Sequence, residues 1–566
     1  MSEPYHGRLE LTWTNKDQCL LAHEDGSYEW VPPNDHRVAE VRLLRRAGEV
    51  GDVSGPANLL IRGDALSALH ALGEIPGYVD AYVGKVKLAY LDPPFNTQQS
   101  FLHYDDALEH SVWLTMMRDR LMQIRRLLSP DGSVWVHCDD YEQAHLRILL
   151  DEVFGRSNFV ATVIWQRRDG RPNDAVIGQM HDYLIVCARD PERFADSRNR
   201  LVRTEEQEAA YRNPDNDTRG LWRNDNYTSN KSKDERPNSW FPVVRPNDGQ
   251  EIWPKPHAVW RYSPERHDEN VAENRIWWGA DGLNTMPKLK RFRSEVEGIV
   301  PMTWWPFTET GSTRNAKDEI KKLFPGVEPF ATPKPERLMQ RVIHIASNPG
   351  DVVLDCFLGS GTTAAVAHKM GRRWIGVERS RETIDTFTVP RLNRVIAGQD
   401  PGGITAAEAW EGGGGFRILD VGPSMLEDDE GVVMLAEWAS NTALAEATAA
   451  QLGYSYQPAA PFCGRKGRSR LAVIDGLVSP TVIELLVAAL ADQEQLTVCG
   501  TSVDQEAAQA LRALRAGSRV RKIPASLLTE YQETALWRPR LPSLDEFQPE
   551  QKMPARYLPP TPSPEL

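Results

Sequence analysis

The chain lacks the cysteine pairing that staples small domains. Its six cysteines, Cys19, Cys138, Cys187, Cys356, Cys463 and Cys499, stand far apart, and no two form a Cys-x-x-Cys. A zinc knuckle and a disulfide framework are therefore not expected, and a reducing compartment is. No apolar run reaches the ~18 residues that read as a membrane-spanning helix. The first residues, MSEPYHGRLELTW, have neither a basic start nor an apolar core, so no secretory signal is expected and the cytoplasm is the expected location. Positive net charge is also missing: the chain carries -13 at pH 7. That counts against nucleic-acid attraction by the chain as a whole, though not against a basic face on part of it. Three clusters are candidates: Arg167, Arg168 and Arg171; Lys288, Lys290, Arg291 and Arg293; Arg465, Lys466, Arg468 and Arg470. Each reads equally well as a solvated surface. No metal-ligand spacing is visible, so no metal is expected.

The most informative stretch is Leu88 to Thr97, LAYLDPPFNT. Leu88 to Leu91 is apolar throughout and reads as a buried strand. Asp92 then falls at the strand's carboxyl end, where open α/β sheets bind ligands. Pro93 and Pro94 fix φ and remove two backbone donors, leaving rigid carbonyls without a local amide. Phe95 adds a flat apolar face. A carboxylate, a fixed carbonyl and a ring together suit a planar group bearing NH2, such as a nucleobase. A proline-stiffened turn after a strand is the bland alternative.

At 566 residues there is room for roughly two to four domains. Residues 1–54 show period-two patterning around an aspartate–glycine turn and read as a β-hairpin extension. Asn58 to Asp64, NLLIRGD, is a strand leading into a helix, with Asp64 at the N-cap position. Trp113 to Leu128 has helical apolar spacing, Ser129 to Gly132 is a turn, and SVWVHC is the next strand. Gln143 to Phe154 is a helix, and FVATVIWQR and HDYLIVCAR are two strands close enough in the chain to pair antiparallel. This alternation predicts an α/β sheet. Residues 190 to 300 break it. They are rich in Asn, Asp, Pro, Arg and Trp, and eight of the 17 tryptophans lie between Trp222 and Trp305. Such a composition suits either an irregular domain with an aromatic core or a surface reading nucleic acid.

The alternation resumes at Asp351. Val352 to Leu354 form a strand ending at Asp355, Gly359-Ser360-Gly361 is a tight turn, and a helix opens at Thr362. Glycines let the backbone approach a ligand, and helix-start amides favour an anionic group. A second strand, Trp374 to Val377, ends in Glu378, a position whose carboxylate commonly accepts from ribose hydroxyls. Upstream, TPKPE precedes the helix RLMQRVIHIA, a proline-initiated start.

Asp92-Pro93-Pro94-Phe95 resembles the catalytic motif of DNA amino-methyltransferases, and Asp355-x-Phe357-x-Gly359-Ser360-Gly361-Thr362-Thr363, with Gly376-Val377-Glu378, resembles their S-adenosylmethionine (AdoMet) motif. The catalytic motif precedes the cofactor motif by about 260 residues, the order of the β group. Asn96-Thr97, WRNDNYT and SEVEGIVPMTWW resemble the modification (Mod) subunits of type III restriction–modification systems more closely still. The likeness covers about residues 55 to 420.

It implies a circularly permuted, Rossmann-like mixed methyltransferase sheet of the AdoMet-dependent type, with an inserted target-recognition region. It further implies methyl transfer from AdoMet to N6 of a flipped adenine in duplex DNA, without metal or covalent nucleophile. Asp92, Pro93, Pro94 and Phe95 would hold the base. Asp355, Phe357, Gly359, Ser360, Gly361, Thr362 and Glu378 would hold AdoMet. Asp64 would accept from its adenine amine, if it is not simply a helix cap. Lys334 would face its carboxylate, if it is not simply a surface charge. Adenine is preferred to cytosine N4 because the motif begins with Asp where cytosine enzymes more often carry Ser. A catalytically silent DNA-recognition subunit is the alternative from another class.

The implied organisation is an extension (1–54), a catalytic half (55–195), a recognition insert (196–300), an AdoMet half (301–398), a Gly-rich linker (399–415), a small C-terminal α/β docking domain (416–542) and a Pro-rich tail (543–566). Expected partners are double-stranded DNA, a second copy in a homodimer, and a restriction-type helicase–nuclease subunit.

Overall fold

All six positions of Val86–Leu91 are buried, as in a strand covered on both faces. The computed structural model, which describes residues 10–22, 28–55, 57–95, 100–101, 104–105, 110–171, 176–255, 257–296 and 298–533, puts this strand in the middle of a ten-stranded sheet. In chain order the strands are β1 (Leu44–Gly51), β2 (Asn58–Arg62), β3 (Val86–Leu91), β4 (Leu128–Cys138), β5 (Phe159–Gln166), β6 (His181–Ala188), β7 (Trp304–Trp305), β8 (Val352–Asp355), β9 (Arg373–Glu378) and β10 (Gly415–Val421). Across the sheet they run β7-β5-β6-β4-β3-β8-β9-β2-β10-β1. β6 is antiparallel to both neighbours and β1 to β10; every other pair is parallel. The chain thus has the α/β sheet its strand–helix alternation predicts, in the mixed, Rossmann-like form that the resemblance implies.

One consequence matters for the site. β3 and β8, distant in sequence, are parallel neighbours, with Leu354 opposite Ala89. From β3 the chain continues to β4 on one side, and from β8 to β9 on the other. Their carboxyl ends flank the crevice where an open sheet winds away in two directions, the place such sheets bind ligands.

Helices α1 (Ala65–Glu74), α2 (His110–Leu127), α3 (Gln143–Phe154), α4 (Thr313–Leu323), α5 (Glu336–Ala346), α6 (Thr362–Lys369) and α7 (Val389–Ile396) accompany the sheet. On α2, Trp113, Met117, Leu121 and Ile124 are fully buried, at the helical spacing that predicts one inward face. Among the described residues no helix is long and apolar enough to cross a membrane.

Three segments differ from the sequence reading. Ser129 to Gly132 is not a free turn but a bulge inside β4: the ladder slips between Val86 opposite Leu128 and Leu88 opposite Ser133. Leu44–Gly51, assigned to an N-terminal extension, is the edge strand β1. Gly415–Val421, assigned partly to a linker and partly to a separate unit, is β10, between β2 and β1. Glycines carry no periodic signal, and both pairings join residues far apart in the chain. The remaining C-terminal residues form a second sheet of β11 (Ser455–Ala459), β12 (Phe462–Lys466), β13 (Ser469–Val478), β14 (Gln495–Val503) and β15 (Arg519–Lys522), in that spatial order. The N-terminal Val41 and Leu43 share an apolar cluster with Leu444, Leu471 and Cys499 of that region, and Gln451 bonds both the amide and the carbonyl of Val41 at 3.0 and 2.8 Å. The tail from 543 lies outside the described residues.

The chain divides into two compact units, Met1–Asn199 with Met302–Leu566, and Arg200–Pro301. The second has a three-stranded antiparallel sheet, Trp222–Asn226, Lys288–Phe292 and Ile276–Trp277. Its tryptophans divide: Trp222, Trp260 and Trp278 are buried, while Trp253 is 46% exposed. Its basic cluster is largely neutralised. Lys290 is buried against Asp215 and Asp217, Arg291 pairs with Asp225, and Arg293 with Glu208.

The cofactor-side helices are locked by buried charge. Glu336, at the start of α5, accepts from Lys369 at 3.0 and 2.8 Å, from Arg391 at 2.8 Å and from the Ile404 amide at 3.0 Å. Lys369 also donates to Asp400 at 2.6 Å. Burial opposes the Glu336 charge, but Arg391 and Lys369 outweigh it and hold the carboxyl below its usual range. This cluster ties α5, α6 and α7 together and fixes the segment carrying Lys334. Glu336→Ala leaves the buried Arg391 without its carboxylate and Lys369 with Asp400 alone, and is expected to lower unfolding stability by about 3–5 kcal/mol. Urea denaturation checks this; a loss below about 1 kcal/mol would contradict it.

Candidate active site

Asp92 follows β3 directly, on the turn made by Pro93 and Pro94. The indole of Trp113 on α2 donates to the Pro94 carbonyl at 2.7 Å and pins the turn. Lys334 donates to Asp92 Oδ2 at 2.5 Å. Asp92 Oδ1 is buried and has no hydrogen-bond partner among the described residues. An unsatisfied buried acceptor costs about 1–3 kcal/mol, more if charged, so an N–H delivered there by a ligand recovers that cost. Phe95 stacks on His137, with ring centroids 5.4 Å apart and planes at 21°, and the Lys334 ammonium lies 5.1 Å from the Phe95 centroid. Asn96 and Thr97 lie outside the described residues.

The neighbouring strand end is built from glycine and carboxylate. Asp355 closes β8 and accepts from the Phe357 amide at 2.9 Å. Gly359 and Gly361 have φ of +53° and +81°, in the left-handed region. A side chain would also crowd them: a Cβ would lie 3.3 Å from Phe330 at Gly359 and 3.3 Å from Thr388 at Gly361. Glu378, at the end of β9, accepts from the Gly359 amide through Oε2 and from the Ser380 amide through Oε1, each at 2.8 Å. Its carboxylate therefore staples the glycine turn as well as bordering the cleft. The Thr388 hydroxyl donates to the Gly359 carbonyl at 2.7 Å. Thr362 accepts from Arg391 at 2.7 Å and faces the Ser360 hydroxyl at 3.4 Å.

Asp64 caps α1, accepting from the amides of Leu66 and Ser67 at 2.9 and 3.1 Å, and its other oxygen takes Arg120 at 2.9 Å. Lys334 is not a surface charge: it is 9% exposed and ion-paired to Asp92. Every residue assigned from the sequence to holding the base or the cofactor, except Gly361, lines one cleft of about 1570 Å³; Gly361 shapes the turn behind it. That volume exceeds the roughly 300–1,000 Å³ of a pocket for one small ligand, so two can be held side by side.

The electrostatics suit a cationic ligand. Asp64, Asp92, Asp355 and Glu378 border the cleft. Burial, with the repulsion of Asp92 and Glu378, pushes the Asp355 carboxyl up to about 7 against the bonds from Thr363 and the Phe357 amide. Elsewhere on the lining stand Arg167 and Arg168.

Several lining residues were not legible in the sequence. Tyr90 and Trp165 look like ordinary strand apolar positions, and Arg120 like one face of a helix. Nor was a metal-type grouping anticipated. Among the described residues His110, Glu142 and His145 bring ligand-type atoms within 4.8 Å of one another. Glu142 is fully buried and contacts His110 Nδ1 at 2.7 Å and His145 Nδ1 at 3.2 Å. The separation of 32 positions between His110 and Glu142 hides this cluster from any spacing rule.

A DNA methylase family model matches residues 86–389, from the first residue of β3 to the first of α7. The chain is 30% identical over 424 residues to the probable type III restriction-modification enzyme HindVI Mod subunit of Haemophilus influenzae, covering 65% of this chain and 54% of that protein. It is 28% identical over 389 residues to the type III restriction-modification enzyme StyLTI Mod subunit of Salmonella typhimurium, covering 60% and 57%. To the type II methyltransferase M.KpnI of Klebsiella pneumoniae it is 26% identical over 382 residues, covering 59% and 86%. The chain thus spans little more than half the length of the two Mod subunits.

Gly361→Ala forces a side chain into a left-handed conformation against Thr388. The expected cost is about 1–2 kcal/mol of stability, read by urea titration; an unchanged midpoint would show that the turn does not need glycine there.

Proposed function

The chain belongs to the DNA methylase family, and from that premise we propose that it transfers the methyl group of AdoMet to the exocyclic N6 of an adenine flipped out of duplex DNA. The observation that carries this reading is the buried Asp92 Oδ1, without a partner among the described residues, in the same cleft as the Gly359–Gly361 turn.

The exocyclic amine is a weak nucleophile because its lone pair is delocalised into the ring. Asp92 Oδ1 and the Pro93 carbonyl accept its two N–H bonds, draw the nitrogen toward tetrahedral geometry and free the lone pair. Lys334 holds the other Asp92 oxygen and so fixes the carboxylate. Phe95 stacks on the base and offsets part of the few kcal/mol that extrusion costs. When bound, AdoMet supplies an electrophilic methyl on a sulfonium. Phe357, Gly359, Ser360 and Thr362 line its place, Asp355 offers a carboxylate to its positive charge, and Glu378 fixes the turn. Holding nitrogen, methyl and sulfur in line provides the remaining acceleration.

Asp at position 92 supports adenine over the N4 of cytosine, which presents a similar amine. We assign target recognition to the Arg200–Pro301 unit, a role its exposed Trp253 supports. The names of the two Mod relatives support a place in restriction–modification, and we propose a cytoplasmic location with it. There the C-terminal sheet would dock a second copy or a helicase–nuclease subunit.

Asp92→Ala is expected to abolish incorporation of radiolabelled methyl into DNA while the AdoMet Kd stays within about threefold; equal loss of transfer and binding would contradict the assigned role. A second expectation concerns pH. Asp355 is half protonated near pH 7, whereas a bound cation favours its carboxylate. AdoMet affinity should therefore rise about eightfold from pH 6 to 7.5, with proton release on binding. Calorimetry in two buffers of different ionisation enthalpy measures both, and Asp355→Asn should flatten the profile. A profile that is flat or falling in the unaltered protein would rule this out.

A further inference from the structure

Behind Phe95 lies a buried aromatic and hydrogen-bonded chain that the proposed chemistry leaves unused. The imidazole of His137 on β4 is fully buried. One side stacks on Phe95. Trp165 meets it edge-on at 5.5 Å and Tyr90 at 6.5 Å. Tyr90 Oη lies 3.1 Å from Nδ1, and Asp182 Oδ2 lies 3.3 Å from Nε2. The other Asp182 oxygen is 2.9 Å from Arg167 Nε, and Arg167 lines the cleft.

The proton positions follow from the partners. Burial raises the Tyr90 phenol well above its ordinary range, so it stays protonated. Burial, then the Lys334 charge, lowers the imidazole below its own against the pull of Asp182 and Asp92, so it stays neutral. A neutral imidazole has one N–H. Opposite a carboxylate that N–H belongs on Nε2, which leaves Nδ1 to accept from Tyr90. The other tautomer would aim a lone pair at Asp182. The ring therefore has one tautomer and one plane, set from both ends.

We propose that His137 is a positioning residue for the nucleobase: it forms the innermost layer of a three-layer stack of imidazole, Phe95 ring and incoming base. This rests on the nucleobase methyl transfer proposed above. A phenyl ring on a turn at a cleft edge can tilt, and a base stacked on a tilting ring presents its amine to Asp92 poorly. Stacking on an imidazole that cannot rotate removes the tilt. The Tyr90 and Asp182 bonds supply the rigidity, and Phe95 transmits it to the base.

Two variants separate the stack from the hydrogen bonds. His137→Gln keeps a donor toward Asp182 but removes the flat ring; His137→Phe keeps the ring and removes the bonds. Each is assayed with radiolabelled AdoMet and unmethylated genomic DNA, alongside the unaltered protein, with AdoMet Kd measured separately. His137→Gln is expected to lower kcat about five- to tenfold, the worth of an aromatic pair, with AdoMet Kd unchanged. His137→Phe, which keeps a ring but not the bonds that fix its plane, is expected to recover only part of that loss, with kcat between those of His137→Gln and the unaltered protein. A His137→Gln protein with unaltered kcat overturns the proposal, as does a parallel loss of AdoMet binding in both variants, which would mark a purely structural role. If the unaltered protein transfers no methyl to DNA, the methyl-transfer reading fails and this inference fails with it.

Discussion

The site depends on one pairing: β8 lies beside β3, parallel, with Leu354 opposite Ala89. Because the two strands point the same way, the residues that follow them leave the sheet on the same edge, and Asp92 and Asp355 become neighbours despite the 263 positions that separate their numbers. Because β4 lies beyond one strand and β9 beyond the other, the connecting helices part there and leave a crevice rather than a packed layer. The Pro-Pro turn and the glycine turn are then local answers to one requirement, backbone brought close to a ligand without side chains in the way.

Charge sets which ligands would suit the crevice. Lys334 neutralises one oxygen of Asp92 and leaves the other buried without a partner among the described residues. Glu378 is spent on two backbone amides. Burial, with the repulsion of Asp92 and Glu378, raises the Asp355 carboxyl to about 7, so its charge changes near neutral pH. A ligand with an amine for Asp92 and a positive centre for Asp355 relieves both sources of stress at once. A purely apolar or anionic ligand relieves neither. The buried Glu336–Lys369–Arg391 cluster holds this arrangement from behind, since it fixes the helices on which Lys334 and the glycine turn are mounted.

What could be read from the sequence was whatever is encoded locally. The uniformly apolar LAYL, the helical spacing after Trp113 and the strand–glycine–helix series from Val352 each report their own conformation, and each element is found. The α3 bounds, Gln143–Phe154, follow directly from their periodicity. What stayed hidden depends on contacts between residues remote in the chain. β1 and β10 are strands because each completes the other's edge, and nothing in a Gly-rich run announces that. Asp64 carried two readings, and its carboxylate takes the capping bonds that any N-terminal aspartate can make. Lys334 looked like an isolated charge because its partner lies 242 positions away. His137 sits beside Val134, Trp135, Val136 and Cys138, and the part proposed for it exists only once Phe95, Tyr90 and Asp182 have closed around it.

The account stands on a single cleft gripping an amine with Asp92 while a sulfonium donor lies on the glycine turn. A crystal structure of the protein with DNA and a non-reactive AdoMet analogue tests that most directly. The predicted result is a base swung out of the duplex, its amino nitrogen within hydrogen-bond reach of Asp92 Oδ1 and the Pro93 carbonyl. That nitrogen should lie about 3–3.5 Å from the position of the transferable methyl. A base still stacked in the helix, or an analogue seated away from Gly359 with Asp92 facing water, would contradict it.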